Sequence, residues 1–384
     1  MKKKSVFTAA AIVAGNGIGS GVMAIPYFID KAGVTGGLSA FAAAYLVSVC
    51  LHLMIAQILL MTGDTADILG AFNRFLFKGR FRNVWQISFF VIMVIVLETN
   101  LAAYISGASS ITAELLPDIP VRFAGILFYL IAAAVVLFGL RAVCISEKTS
   151  VSVMGIIVLA AVFFSVTKAN HALSFGFAAG GKPALSVWAA TFSMIMFSFS
   201  AIFAVPQVIE YLERDVKKVR KSIYTGLLMN LILSVVVSLC AVITSKEVTK
   251  VAIVGWAEAV GGPIRILGSL FILLAMFTSY WSIGFATTEI IATQTKKSFG
   301  LSFILGTVPA LLLTLVLSSG FLEYMKIAGG AVAVIISLMV IPTYLICTKG
   351  KEQTVMNRVE ASKAAVAVVF VMYLVMAVGS LITV

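Results

Sequence analysis

Gly15-Asn16-Gly17-Ile18-Gly19-Ser20-Gly21 sits in the middle of the first long apolar stretch of the chain, residues 6–29, with Pro26 one to two helical turns further on. Four glycines in seven residues make a poor helix, because each costs roughly 1 kcal/mol against alanine in a helix interior. Residues 6–29 are nevertheless long and apolar enough to span a bilayer. The stretch therefore reads as two half-helices joined by an unwound strip at bilayer depth. Bare backbone at that depth is tolerated only where protein covers it or where it lines a cavity. Glycine-interrupted spans near the midplane mark the binding sites of transporters. The same glycines also read as a packing face, since small residues at such spacing let helices approach closely.

The rest of the chain bears on that choice. Its 384 residues are 61% hydrophobic and only 11% charged, a balance foreign to soluble domains of this length. Eleven runs reach the length and apolarity of a span: 6–29, 34–61, 84–112, 122–140, 149–167, 185–209, 222–244, 263–292, 299–319, 325–346 and 363–383. This predicts an all-α polytopic membrane protein of 11 transmembrane helices, a single transporter domain over 1–384 with almost no mass outside the bilayer. The formal net charge of +12 follows from topology and needs no nucleic acid partner. With the N-terminus in the cytoplasm, twenty of the 28 Lys and Arg fall on the inner side, as the positive-inside rule requires. Eleven spans then leave the C-terminus outside the plasma membrane. Lys2, Lys3 and Lys4 ahead of an apolar run imitate a secretory signal, but the run is too long and more spans follow. Cys50, Cys144, Cys240 and Cys347 are scattered through apolar runs or their ends, which predicts free thiols and neither disulfides nor zinc ligands.

Few residues inside the spans carry chemistry. Glu98 lies about 15 residues into span 3, roughly 20 Å deep at about 1.5 Å per residue. An ionisable group near the midplane is a functional hypothesis by default; the alternative is a protonated carboxyl bonded to a neighbouring helix. Tyr104 follows about one and a half turns further on. Span 6 reads Met196-Phe197-Ser198-Phe199-Ser200-Ala201-Ile202-Phe203-Ala204-Val205-Pro206-Gln207. Two serines among phenylalanines, then a proline, weaken the helix around residues 198–201. Serine in a membrane helix ordinarily bonds the preceding turn and means nothing more. Span 6, however, comes five after span 1, and an odd offset reverses orientation. Breaks at matching positions of two oppositely oriented halves are the mark of inverted repeats, here over about 6–168 and 185–346, with an extra helix at 363–383. In span 8, Ala275, Thr278 and Ser279 share one helical face and offer oxygens of the kind hard cations prefer.

The remaining polar residues read more plainly. His52 and Gln57 in span 2 and Asn230 in span 7 suit helix packing, with a proton-relay role for His52 the alternative. Spans 4 and 5 are bland, and Lys148 at the inner start of span 5 is a topology charge. The basic, phenylalanine-rich segment 62–83 suits an amphipathic interfacial helix or a solvated loop, and 245–262 leaves room for a short surface helix. The sequence holds no nucleophile with a base, no Walker loop and no clustered His or Cys ligands. That excludes ATP-driven transport and predicts neither enzyme activity nor a cofactor.

Gly15-x-Gly17-Ile18-Gly19-Ser20-Gly21-Val22-Met23-Ala24-Ile25-Pro26 resembles the first-helix signature of the hydroxy and aromatic amino acid permeases, within the amino acid/polyamine/organocation superfamily. Residues 102–110 (AAYISGASS) resemble that family's third helix, residues 199–223 its sixth helix and following loop, and Thr278-Ser279-Tyr280 with Gly284 its eighth. The resemblance spans nearly the whole chain and keeps motif order. It implies a leucine-transporter-type fold with helices 1 and 6 unwound, and secondary active uptake of amino acids. It also implies a cation between the Gly15 and Ile18 carbonyls and Ala275, Thr278 and Ser279. Asn16 stands where family members usually carry Thr or Ala, and an acidic residue at Glu98 is not typical of the family.

Together these readings predict a symporter for a free amino acid, driven by a sodium ion or proton gradient. Backbone N–H groups of the half-helix beginning near Ser20 would bind the substrate carboxylate, within a site formed by Asn16, Gly17, Gly19, Ser20 and Gly21. Carbonyls around Phe197, Ser198, Phe199 and Ser200 would accept the ammonium group. Tyr104, Phe197, Phe199 and Trp281 would line the side-chain pocket and favour an apolar or aromatic substrate. Coupling falls to sodium at the helix 1 and helix 8 oxygens or to a proton on Glu98. A non-transporting amino acid sensor on the same fold and an ion channel are the alternatives; a channel would need a continuous polar pore.

Overall fold

The computed structural model describes residues 4–63, 68–167, 184–249, 252–317, 323–324, 331, 335, 339–349, 355–357 and 359–382. All regular structure among them is helical. Along the first half run α1 (Val6–Ile18), a 3-10 turn (Ser20–Met23), α2 (Ile25–Thr62, two helical segments joined at a kink at Gly33, φ 74°), α3 (Ile68–Phe75), α4 (Arg82–Leu115), α5 (Val121–Leu137) and α6 (Leu140–Val166). The second half contains α7 (Ala184–Ser198), α8 (Ala204–Tyr211), α9 (Val216–Thr244), α10 (Ala252–Val260), α11 (Gly262–Thr295), α12 (Phe299–Leu305) and α13 (Val308–Leu317). After these come α14 (Ile341–Thr348) and α15 (Lys363–Gly379). Most of the expected span 325–346 lies outside the described residues.

Six helical stretches are long and apolar enough to cross a membrane: α2, α4, α6, α9, α11 and α12 with α13. Four more apolar helices, α1, α5, α7 and α15, are shorter. Two of these are short for a reason legible in the sequence. The first run is interrupted after Ile18 and resumes at Ile25; the sixth stops at Ser198 and resumes at Ala204. Both expected breaks are therefore present as backbone geometry.

α1 is the hub of the bundle. Every residue from Thr8 to Ile18 is buried, and the helix packs against α9, α6 and α11. Around it α2 packs on α7 and α9, while α4 packs on α11, α5 and α13. Large apolar side chains such as Leu46, Trp85, Ile95, Leu130, Leu159, Phe163, Ile266 and Val316 stand exposed on the outside. A belt of this kind suits hydrocarbon and is foreign to a water-facing surface. All four cysteines are free thiols.

Two departures of helix boundaries from the hydropathy reading involve charged residues. Spans 4 and 5 are joined by a tight turn at Phe138 and Gly139 (φ 80°), so α6 begins at Leu140, well ahead of residue 149. Arg141, Glu147 and Lys148 made that segment look like a loop. The helix exposes Arg141 and Lys148 and buries Glu147, so charge density alone misplaced its start. Likewise α9 starts at Val216, and its basic cluster forms the first turns of the helix. Asp215 caps it, accepting from the Lys218 N–H at 3.1 Å. The hydrogen bond and ion pair from Lys218 hold the Asp215 carboxyl below the usual carboxylate range.

One end of the bundle is built from cations, and it is called the basic end below. α3 buries Ile68, Leu69, Ala71 and Phe72 and leaves Arg74 outward. Arg214 donates to the carbonyls of Leu59 (3.2 Å), Leu60 (2.9 Å) and Gly63 (2.8 Å), and Arg74 donates to that of Thr62. The last carbonyls of a helix have no acceptor role inside it, and here two guanidinium groups close the end of α2. Lys4 pairs with Glu213 at 2.9 Å across the same surface.

Candidate functional site

The two breaks face each other at the centre of the bundle. In the first, Gly19 adopts φ 43° and ψ −164°, and a single 3-10 turn leads on to α2. A positive φ at this position favours glycine. A Cβ there would also lie 3.1 Å from the Ser279 hydroxyl and 3.7 Å from that of Tyr104. Gly17 and Gly21 allow the second break to approach. A Cβ on Gly17 would lie 2.6 Å from the Asn230 amide nitrogen and 3.1 Å from the Ser198 carbonyl; one on Gly21 would lie 3.2 Å from the Ser198 Cβ.

The second break contains no glycine. Residues 199–203 are held open by hydrogen bonds from elsewhere. The Ser198 hydroxyl donates to the Ile18 carbonyl at 3.0 Å, so it crosses to α1 where a membrane serine ordinarily bonds its own helix. The Asn230 amide on α9 donates to the Ser198 carbonyl at 2.7 Å, and Ser234 donates back to Asn230 at 3.0 Å. The carbonyls of Phe197 and Phe199 each accept a local N–H, from Ser200 and Ala201. Every carbonyl oxygen retains a second lone pair for a ligand.

α11 clasps the first break from the opposite side. Thr278 donates to the Gly15 carbonyl at 2.9 Å and the Ala275 carbonyl at 3.0 Å; Ser279 reaches the Asn16 carbonyl at 3.1 Å and that of Gly15 at 3.3 Å. Gly15, Ala275, Thr278 and Ser279 are thus brought together, whereas the Ile18 carbonyl turns to Ser198. Asn16 is 3% exposed, and neither polar atom of its side chain has a partner. A buried amide left unsatisfied costs about 1–3 kcal/mol, so this one is available to a ligand beside the break.

The other candidates take varied positions. Trp281 belongs to an aromatic stack with Phe277 and Phe128, on the α5 side of α11. The Phe199 ring packs edge-on against Phe41 of α2. Ser200 lies in the break, half-buried. Ser20 opens the 3-10 turn, and its side chain lies outside the described residues. Glu98 is buried on α4, beside the Ala310 backbone of α13.

Three contributors escaped the sequence reading. Gln207 ties α8 to α11, donating to the carbonyls of Phe203 (3.0 Å) and Ser282 (2.7 Å) and accepting from the Ser282 hydroxyl. Asn230, read as a packing residue, supports the second break. Glu147 on α6 is wholly buried, its two carboxyl oxygens unpartnered, and a Cβ on Gly15 would land on its carboxylate. A single acid counted within the helix, and not in the flank, is the signal that could have found it.

Among the described residues, the two sides of the first break differ in open space. A cavity of about 520 Å³ opens at the basic end between α8 and α11, lined by Phe203, Gln207, Glu210, Arg214, Phe285 and Glu289 among others. On the other side of the first break, Val22 and Pro26 meet Ile157, Trp256 and Phe271 around an apolar space of only about 20 Å³.

The fold has counterparts among solved proteins. The chain is similar to MHP1, a nucleobase-cation-symport-1 family transporter solved closed with bromovinylhydantoin bound, at a TM-score of 0.69 and 14% identity, covering 98% of this chain and 90% of that one. It is also similar to MhsT solved with L-phenylalanine, at 0.65 and 14% identity, covering 99% and 97%. The fold is accordingly that of the leucine-transporter-type carriers. In sequence, it is 25% identical to tyrosine-specific transport system 1 of Haemophilus influenzae over 343 residues, 83% of this chain and 82% of that protein. The tryptophan/tyrosine permease family model matches residues 2–380, and the chain belongs to that family.

Proposed function

We propose that this protein is a secondary active symporter that carries a free aromatic amino acid, tyrosine first among them, across the plasma membrane with a sodium ion or proton. As a family member it is a multi-pass membrane transporter and not an enzyme. The observation that carries the reading is the pair of facing breaks with the unsatisfied Asn16 amide beside them. An amino acid needs donors for its carboxylate and acceptors for its ammonium group. The first break supplies N–H groups that lack helical acceptors, with the positive end of a helical stretch behind them. The second supplies carbonyl lone pairs, and Tyr104 and Phe197 stand close to Gly19 and Gly21. The tyrosine-specific relative and the L-phenylalanine complex of MhsT favour an aromatic substrate.

Alternating access follows from the same parts. Among the described residues a cavity opens at the basic end and apolar side chains pack on the other side of the first break, which suits a carrier facing the side of its positive charges. By the positive-inside rule that side is the cytoplasm, with two inverted repeats rocking about the breaks. Labelled tyrosine uptake into proteoliposomes under an imposed sodium or proton gradient tests this. Saturable accumulation with counterflow is expected; non-saturating flux would point to a channel, and binding without flux to a sensor.

A further inference from the structure

We propose that Glu147 accepts the co-transported monovalent cation, at the crossing of α1, α6 and α11. The inference rests on the symport reading and deepens it. Glu147 is wholly buried and neither carboxyl oxygen has a partner. Its carboxylate lies against the Cα of Gly15, and the point a Cβ on residue 15 would occupy is 3.0 Å from the Thr278 Cβ. Gly15 precedes Asn16 by one residue and the Gly19 break by four. Thr278 is already bonded to the Gly15 carbonyl at 2.9 Å. The carboxyl group therefore touches the same short segment that the substrate would bind.

Burying an unpaired carboxylate in low dielectric is among the most unfavourable arrangements a protein can hold. Other side chains do not relieve it: no ion pair involves Glu147 among the described residues. Lys4, ahead of α1, is engaged by Glu213. The basic residues of α9 lie in its first turns at the basic end, Glu289 of α11 lines the cavity, and Lys148 is exposed. A small cation arriving from the cavity would meet carboxyl, hydroxyl and carbonyl oxygens, the ligand set that suits sodium. A proton would need the carboxyl alone. Either would draw α6 and α1 together at the break, so cation and amino acid would strengthen each other's binding, as linkage requires. Glu98 sits beside Ala310 of α13, whereas Glu147 meets Gly15 of α1, which is why the role is assigned to Glu147.

Two measurements test this. In proteoliposomes, the wild type is driven by a sodium gradient or by a pH gradient, which identifies the cation. Glu147→Gln should lose about tenfold or more of the accumulation driven by that cation, within the usual span of coupling factors. In detergent, labelled tyrosine affinity is compared at high and low concentration of the same cation. The wild-type affinity should change about fivefold or more, Glu147→Asp should keep a response, and Glu147→Gln should show none. A Glu147→Gln protein whose affinity still follows the cation as the wild type does would overturn the assignment. So would one that elutes as a monodisperse protein but binds no tyrosine under any condition, since its role would then be structural. A wild type that accumulates tyrosine under neither gradient would instead sink the symport reading itself.

Discussion

The two breaks do the same thing by different means. The first is written into its own residues: Gly15, Gly17, Gly19 and Gly21 weaken the helix, and Gly19 takes a positive φ that other residues resist. The second is made of serine, alanine and bulky phenylalanines, none of which requires a break. It is held open from outside, by Asn230 of α9 bonding the Ser198 carbonyl and by Ser198 reaching across to Ile18. One break is intrinsic to the chain and the other is imposed by packing, and only the first should resist loss of its neighbours.

Substitutions can break or sharpen that contrast. The largest effect is expected at Gly19→Leu, which must adopt φ 43° and fill the space before Ser279 and Tyr104. Tyrosine affinity should fall by about 100-fold or more, about 2.8 kcal/mol at about 1.4 kcal/mol per factor of ten, with unchanged elution of the purified protein. Near-normal binding would mean the first break does not hold the carboxylate. A smaller effect is expected at Asn230→Ala, which removes the support of the second break and leaves the first intact. Losing one buried hydrogen bond and part of its network costs about 1–1.5 kcal/mol, so affinity should weaken about tenfold, as read by the same binding assay. An effect as large as that of Gly19→Leu would erase the distinction between the breaks. The smallest change is expected at Ser198→Ala, which deletes a single neutral hydrogen bond between the breaks. About 0.5–1 kcal/mol is at stake, and about a threefold loss should appear in the uptake constant; no change would show that the Ile18 link is dispensable.

How much of this was legible differs between the two regions for the same reason. Glycine density is a local property, so the first break could be placed from residues 15–21 alone. The second was placed from Ser198, Ser200 and Pro206 plus the expected symmetry, but its hydrogen bonds could not be read. Asn230 looked like any packing amide until its carbonyl acceptor was known. Trp281 is named from the sequence as one of several aromatic residues, and only the structure shows that its ring stacks on Phe277. Glu147 is hidden from a hydropathy reading because its charged neighbours resemble a loop, whereas α6 begins two turns ahead of the apolar run.

By itself the sequence determined that this chain lives in a bilayer, where its helices are apolar, which end is cationic and where the first helix must fail. Those are one-dimensional constraints, because a bilayer demands about 20 apolar residues per span and satisfied backbone within each. The family resemblance anticipated Thr278 and Ser279 beside Gly15, but the tertiary structure decided the hydrogen-bond partners. Thr278 and Ser279 found the carbonyls of Gly15 and Asn16, Ser198 found Ile18, and Glu147 came to rest on Gly15. Such meetings depend on the register and rotation of helices far apart in the chain, set by close packing of side chains. No local pattern of residues encodes them.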